Sequence, residues 1–187
     1  EVLGKVDTIV FDKTGTLTEG KPVLVSVRFV PPYSDQDVLR FAASLEQGSE
    51  HPLAEAIVSG ARARGITLAP VKQFLAVTGK GVTGTIDDQS VVIGTAAFLS
   101  ESGGVAGRTL EVLEEEASAF RERGQTVMFV GVNGNAAGLL GVADPIKASS
   151  ADAVRRLKAD GLRLVMVTGD HQRTADAVAQ QLGISEV

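Results

Sequence analysis

The chain has 187 residues, 44% hydrophobic and 22% charged, with a formal net charge of -5; this is the profile of one or two ordinary folded domains, and nothing basic invites nucleic acid. With no cysteine and only two histidines, disulfides and thiolate metal centres are excluded, and the histidines cannot build a zinc site alone. No apolar run approaches the roughly 18 residues of a membrane span, and because residue 1 is Glu and the first methionine is Met128, the chain is expected to be a piece of something longer.

The segment "VDTIVF", residues 6–11, is β-rich and almost continuously apolar, as expected of a strand buried on both faces of a parallel sheet. It ends on Asp12 and the small, hydrogen-bonding run "KTGT". Residues 23–30, 71–77, 81–87, 89–94, 126–132 and 136–143 then read as short strands separated by turn residues such as "DD" and "NGN", and their hairpin spacing argues an antiparallel sheet. Among them lie three helical patterns. One carries Val38, Phe41, Ala42 and Leu45 on a single face, and a second carries Leu53, Ile57 and Ala61. The third, about residues 109–123, carries Leu110, Leu113, Ala117 and Phe120.

After this stretch the α/β character returns. "SSADAVRRLKADG" (149–161) offers a Ser cap and apolar Val154 and Leu157, "GLRLVMVTGD" (161–170) repeats the design of strand then Thr, Gly, Asp, and Ala175, Val178, Ala179 and Leu182 fall at helical spacing before Gly183. Helix, strand and helix in succession predict a doubly wound α/β unit. The expected organisation is a discontinuous α/β domain, 1–21 and 142–187, interrupted by an α+β domain over 22–141 whose antiparallel sheet is flanked by helices, an insert of roughly 115 residues and thus of compact-domain size.

Asp12 stands where open α/β sheets place reactive groups, at the carboxyl end of a strand. Lys13, Thr14, Gly15 and Thr16 permit a tight loop whose N–H groups converge on an anion. A phosphoryl group suits such a cradle, and a carboxylate can attack it to give an aspartyl phosphate. Carboxylate and phosphate are both anionic, so Mg²⁺ is expected between them. On the spacing "DxxG" alone, an Asp capping a turn after a strand is the better reading.

The seven residues "DKTGTLT", 12–18, resemble the phosphorylation motif of the P-type ATPases, within the haloacid dehalogenase superfamily. The resemblance implies that Asp12 is the phosphorylated nucleophile, that Lys13, Thr14, Thr168, Gly169 and Asp170 surround the phosphate, and that Asp12 and Thr14 contribute to an incomplete Mg²⁺ site. "DPIK", Asp144 to Lys147, falls where similar ATPases have an Asp-containing hinge. Phosphatases of the superfamily carry an acid/base Asp two places after the nucleophile. Here that place holds Thr14, which cannot shuttle a proton near neutral pH, so the aspartyl phosphate is expected to hydrolyse slowly.

Ser49 and Pro52 mark the start of the second helix, and His51 lies at its N-terminus, its ring able to stack on a base. "SEHPLA" resembles the signature of the heavy-metal-transporting branch. "GKGVTG", Gly79 to Gly84, fits GxGxxG, yet strand and turn follow it, which excludes the dinucleotide-fold reading; its glycines suit close approach of a ligand to a sheet. The resemblance carries ATP-binding roles to Glu46, His51, Gly79, Gly81, Gly84 and Gly94. The Asn that usually follows the last of these is Thr95 here, so the Asn role is not carried over.

The resemblance covers the whole chain and implies the ATP-binding and phosphorylation region of a cation pump. Its cofactors would be ATP and Mg²⁺, and its partners the membrane and actuator domains of the same pump. The family's later phosphate-site lysine and "GDGxND" motif do not occur before Val187, so autophosphorylation by this chain alone is expected to be poor. The transported ion, with copper(I) the leading expectation and zinc, cadmium or lead the alternatives, would bind elsewhere. Two other readings are a soluble phosphohydrolase with a cap domain and a module that only binds ATP.

Overall fold

The computed structural model describes residues 6–187; the first five residues of the expected 1–21 segment lie outside the described residues. Two sheets organise it. The smaller pairs β1 (Thr8–Asp12) with β8 (Arg163–Val167) in parallel, in a register that sets Asp12 against Val167. A parallel bridge from Val165 to Glu186 begins a third line on the far side of β8. Helices α5 (Ser150–Ala159) and α6 (Gln172–Leu182) cover one face, where Val154, Leu164, Met166, Val178 and Leu182 form a core. Gly183 ends α6 in the left-handed conformation at φ 73°, as the sequence predicts.

The larger sheet is antiparallel, in the order β2 (Val23–Phe29), β7 (Asn135–Ala143), β6 (Thr126–Val132), β5 (Gln89–Gly94), β4 (Gly81–Ile86) and β3 (Lys72–Val77). Helices α1 (Asp35–Glu46) and α2 (Pro52–Ala63) pack on one face, while α3 (Ala96–Gly103) and α4 (Arg108–Arg121) pack on the other. This explains why the central strands β5, β6 and β7 lack a polar face. On β5, Val91 and Ile93 point toward α1 and α2 while Val92 between them points toward α3 and α4; on β6, Val130 and Phe129 divide in the same way.

Local chemistry sets the helix starts. Ser34 caps α1 through a reciprocal pair with Asp37. The sequence expectation of Ser49 as the cap of α2 is corrected. Pro52 occupies the first turn, and the capping residue is His51, whose Nδ1 accepts the Leu53 N–H at 3.2 Å. Ser149 stands at the cap position of α5 without a side-chain capping bond. Helix α3 has no counterpart in the sequence reading; Thr95 caps it by accepting the Phe98 N–H at 3.2 Å.

The chain crosses between the sheets twice, and the two crossings are fastened together. Thr18 bridges Ile146, the Glu19 N–H donates to the Pro145 carbonyl at 2.8 Å, and the Lys147 N–H donates to the Leu17 carbonyl at 3.1 Å. The Asp144 carboxylate accepts the Thr18 hydroxyl at 2.5 Å, the Gly20 N–H at 3.2 Å and the Lys21 N–H at 3.1 Å. Lys147 donates to the Gly15 carbonyl.

Candidate functional site

Parallel pairing of β1 with β8 sets two loops side by side at one end of the small sheet. The first begins at Asp12, whose side chain is exposed. It winds through Lys13–Leu17 with Gly15 at φ 76°, a conformation that favours glycine. Thr14 and Thr16 are exposed on it. The second loop is Thr168 to Asp170, in which the Thr168 hydroxyl accepts the Asp170 N–H at 3.2 Å. A side chain added at Gly169 would meet open space.

Lys13 is not aimed at this open space. Its side chain is buried, 6% exposed overall, and its ammonium meets the Asp170 carboxylate. The two expected phosphate-site residues thus neutralise each other across the two loops. Asp170 also accepts from the Thr126 hydroxyl at 3.4 Å, a contact that reaches the larger sheet.

A cavity of about 620 Å³ runs between the larger sheet and the loop after β8. Glu46, Ser49 and His51, in and after the end of α1, line one side. The turn from Val77 to Val82, with Gly94 and Thr95, lines another. The loop Gly169 to His171 closes it, with Thr126 and Arg121. Seven of the expected site residues, Glu46, His51, Gly79, Gly81, Gly94, Gly169 and Asp170, therefore share one cavity. Asp12, Lys13, Thr14 and Thr168 lie outside its lining, and so does Gly84. Gly84 is buried against Leu45 and Val71, where an added Cβ would come within 2.8 Å of Leu45 Cδ1, so its small size serves packing.

Glu46 is 3% exposed, and its Oε2 has no hydrogen-bond partner. Burial pushes its pKa up, with the nearby Ser49 hydroxyl pulling the other way. A buried carboxyl with an unused acceptor, beside a histidine whose Nδ1 is already an acceptor and whose ring proton therefore sits on Nε2, is suited to the polar edge of a flat ligand. Gly81 and Gly94 are register partners across β4 and β5. A Cβ on Gly81 would lie 2.1 Å from the Ile93 carbonyl oxygen, and one on Gly94 would lie 2.3 Å from that of Lys80. Two facing strands come together here with no room for side chains.

Among the described residues no group of three or more acidic or histidine side chains gathers in a way that could hold a metal. Asp12 provides a single carboxylate, which fits the habit of Mg²⁺ of taking one or two carboxylates together with phosphate oxygens and water. Among the described residues no helix is long and apolar enough to cross a membrane.

The chain that carries this exposed Asp at a parallel strand end and this cavity against an inserted antiparallel sheet has relatives in sequence. The model of the haloacid dehalogenase-like hydrolases matches residues 6–187, and the chain belongs to that family. Within it, the similarity is to metal-transporting P-type ATPases. A copper-transporting P-type ATPase of Rhizobium leguminosarum bv. viciae is 49% identical over 187 residues, all of this chain and 22% of that protein. A zinc-transporting PIB-type ATPase solved in an E2.Pi state superposes with a TM-score of 0.74 at 32% identity, over 99% of this chain and 29% of that one. The catalytic domain of the CPx-ATPase CopB-B, solved in work on conformational changes upon nucleotide binding, superposes with a TM-score of 0.66 at 28% identity, over 97% of this chain and 60% of that one. The chain thus spans about a fifth of the length of the copper-transporting relative.

Residues that the sequence reading did not single out include Arg121, Thr126 and His171. Arg121 ends a helix and Thr126 begins a strand, and neither position carries a local signal. His171 follows "TGD" directly and precedes a helix, the same arrangement that marks His51.

Proposed function

We propose that this chain is the ATP-binding and phosphorylation region of a metal-transporting P-type ATPase, the cytoplasmic part of a membrane pump. The observation that carries the reading is the arrangement of "DKTGTLT" and "TGD" on adjacent strand ends, with a cavity of about 620 Å³ joining the second of these loops to Glu46, His51, Gly79, Gly81 and Gly94.

In this reading the adenine ring stacks on His51 and offers its amino group to Glu46, whose unpartnered oxygen is an acceptor in want of a donor. The glycine pair lets the nucleotide lie close against the sheet. An Asp12 carboxylate oxygen forms a bond to the γ-phosphorus as the bond from that phosphorus to the β–γ bridging oxygen breaks, and ADP leaves. Asp12 and Thr14 would hold Mg²⁺ together with phosphate oxygens, and the ion would supply charge neutralisation there. Asp12 stands outside the cavity lining, so the insert and the small sheet must move relative to each other for transfer, as in other hinge closures. Thr14 offers no proton shuttle, which preserves the aspartyl phosphate. Membrane and actuator domains of the same pump would convert its formation and loss into transport. The transported ion, copper(I) on the strength of the copper-transporting relative, binds outside this chain.

Titration calorimetry of the chain with Mg-ATP tests the reading. Binding is expected, weakened about tenfold or more by His51→Ala and retained in Asp12→Asn. Replacing the matching stretch of the copper-transporting relative with this chain should give an acid-stable phosphoryl label that Asp12→Asn abolishes. Absence of ATP binding together with turnover of small phosphoesters would instead establish a phosphohydrolase.

A further inference from the structure

We propose that Arg121, with His171 beside it, forms the subsite of this cavity that holds the polyphosphate of the nucleotide. The inference rests on the reading that the cavity takes ATP, and it names the groups that hold the charged tail.

Arg121 lies in the last turn of α4 and lines the cavity together with Thr126, Gly169 and His171. It also borders a shallower groove between α4 and α6 where Glu111, Glu114, Glu115, Ser118 and Arg173 lie. The other cationic groups in this region are committed. Lys80, also in the cavity wall, pairs with Glu101 at 2.7 Å, Lys13 pairs with Asp170, and Arg173 donates to the Ser118 hydroxyl. Among the described residues Arg121 makes no ion pair and no side-chain hydrogen bond, which leaves its planar fork of donors free for a phosphate.

Glu111, Glu114 and Glu115 line the groove and not the cavity, where Arg121 and His171 lie with Asp170, itself paired with Lys13. Burial lowers the Arg121 pKa, Glu114 raises it and Arg173 lowers it, so the guanidinium is partly stripped of water without a full counter-charge. His171 Nδ1 accepts the Arg173 N–H at 3.2 Å as the cap of α6. Its remaining nitrogen, Nε2, then carries the ring proton and can donate. The open space above Gly169 leaves room between these groups and the loop after β8.

The test compares ATP, ADP, AMP and adenosine by calorimetry on the whole chain. Arg121→Ala should weaken ATP and ADP about tenfold, the scale of one charge-assisted hydrogen bond, while adenosine is bound as by the parent. Arg121→Lys should recover part of the loss, and raising salt should diminish the difference between ATP and adenosine in the parent more than in Arg121→Ala. Loss of ATP and adenosine affinity by the same factor, or an unchanged ratio between them, overturns the subsite. His51→Ala serves as the control for the underlying reading, since it should weaken ATP and adenosine alike. If the parent chain binds none of the four, the ATP reading itself fails and the subsite falls with it.

Discussion

The Lys13 ammonium and the Asp170 carboxylate form an ion pair that joins the loop after β1 to the loop after β8. Their side chains are 8% and 19% exposed, so each charge depends on the other for its solvation. Asp170→Asn leaves a buried ammonium without its partner and is expected to cost about 3 kcal/mol, the lower part of the range for breaking a buried pair. Lys13→Met should cost a similar amount. Because both remove the same interaction, the double variant should lose clearly less than the sum, with a coupling of about 1 kcal/mol or more in urea unfolding. Strict additivity would show that the pair holds nothing together.

Asp144 gathers three donors from the opposite crossing, the Thr18 hydroxyl and the Gly20 and Lys21 N–H groups. Asp144→Ala removes the acceptor that these three donors share and should destabilise the chain by about 1 kcal/mol, since water can reach the Gly20 and Lys21 N–H groups. The damage should be local as well as global. Limited proteolysis is expected to cut the variant near residues 18–22 before other sites, while the parent resists there. Equal cleavage of the two proteins in this segment would contradict a clamping role.

The parts of this molecule that the sequence made legible are those in which neighbours along the chain decide the outcome. The strands β1 and β8, the helical spacing of Val38, Phe41 and Leu45, and the stop at Gly183 all follow from local pattern, and the structure has them; the expected burial of β1 on both faces is not met, since Val10 is 62% exposed and Val167 of β8 is 52% exposed. Helix α3 escaped because "AAFLSESG" is too short to show a period, and its one signal was Thr95 three places before Phe98. The choice of His51 over Ser49 as a cap turned on where Pro52 falls in the first turn. In the site, the motif residues came into view as sequence strings, but what each touches did not. Lys13 meets Asp170 from 157 positions away, and Gly84 meets Leu45; only the folded chain brings such groups together.

Glu46 gives a pH signature. Its pKa is raised in the folded chain, chiefly by burial, above the ordinary value of 4.5. The folded state therefore holds its proton more tightly than the unfolded state. The stabilising contribution is complete below about pH 4.5 and is lost as pH rises through the raised folded value. At neutral pH the buried carboxylate is a cost. Glu46→Gln should remove it, gaining about 1 kcal/mol near pH 7 and about 2–4 °C in Tm, with the gain vanishing near pH 4. The same variant should bind ATP less tightly, because an acceptor that the adenine amino group needs has lost its charge. A stability gain that persists unchanged at pH 4 would show that ionisation of Glu46 is not its source.

Gly79, Gly81 and Gly94 all line the cavity, yet they should respond differently to a methyl group. Gly81 and Gly94 face each other across β4 and β5, and a Cβ on either would collide with backbone oxygen at 2.1 Å or 2.3 Å. Backbone cannot step aside as a flexible side chain would, so Gly81→Ala and Gly94→Ala are each expected to cost about 3 kcal/mol through overpacking. Gly79 sits at φ 72° with nothing within 4 Å of an added Cβ. Gly79→Ala then meets only left-handed strain, about 1 kcal/mol, and should remain folded. Denaturant unfolding ranks the three, and the ranking bears on function. Any loss of ATP affinity in Gly79→Ala that exceeds its small loss of stability reports contact between the nucleotide and this turn, whereas in the other two it reports a displaced strand pair.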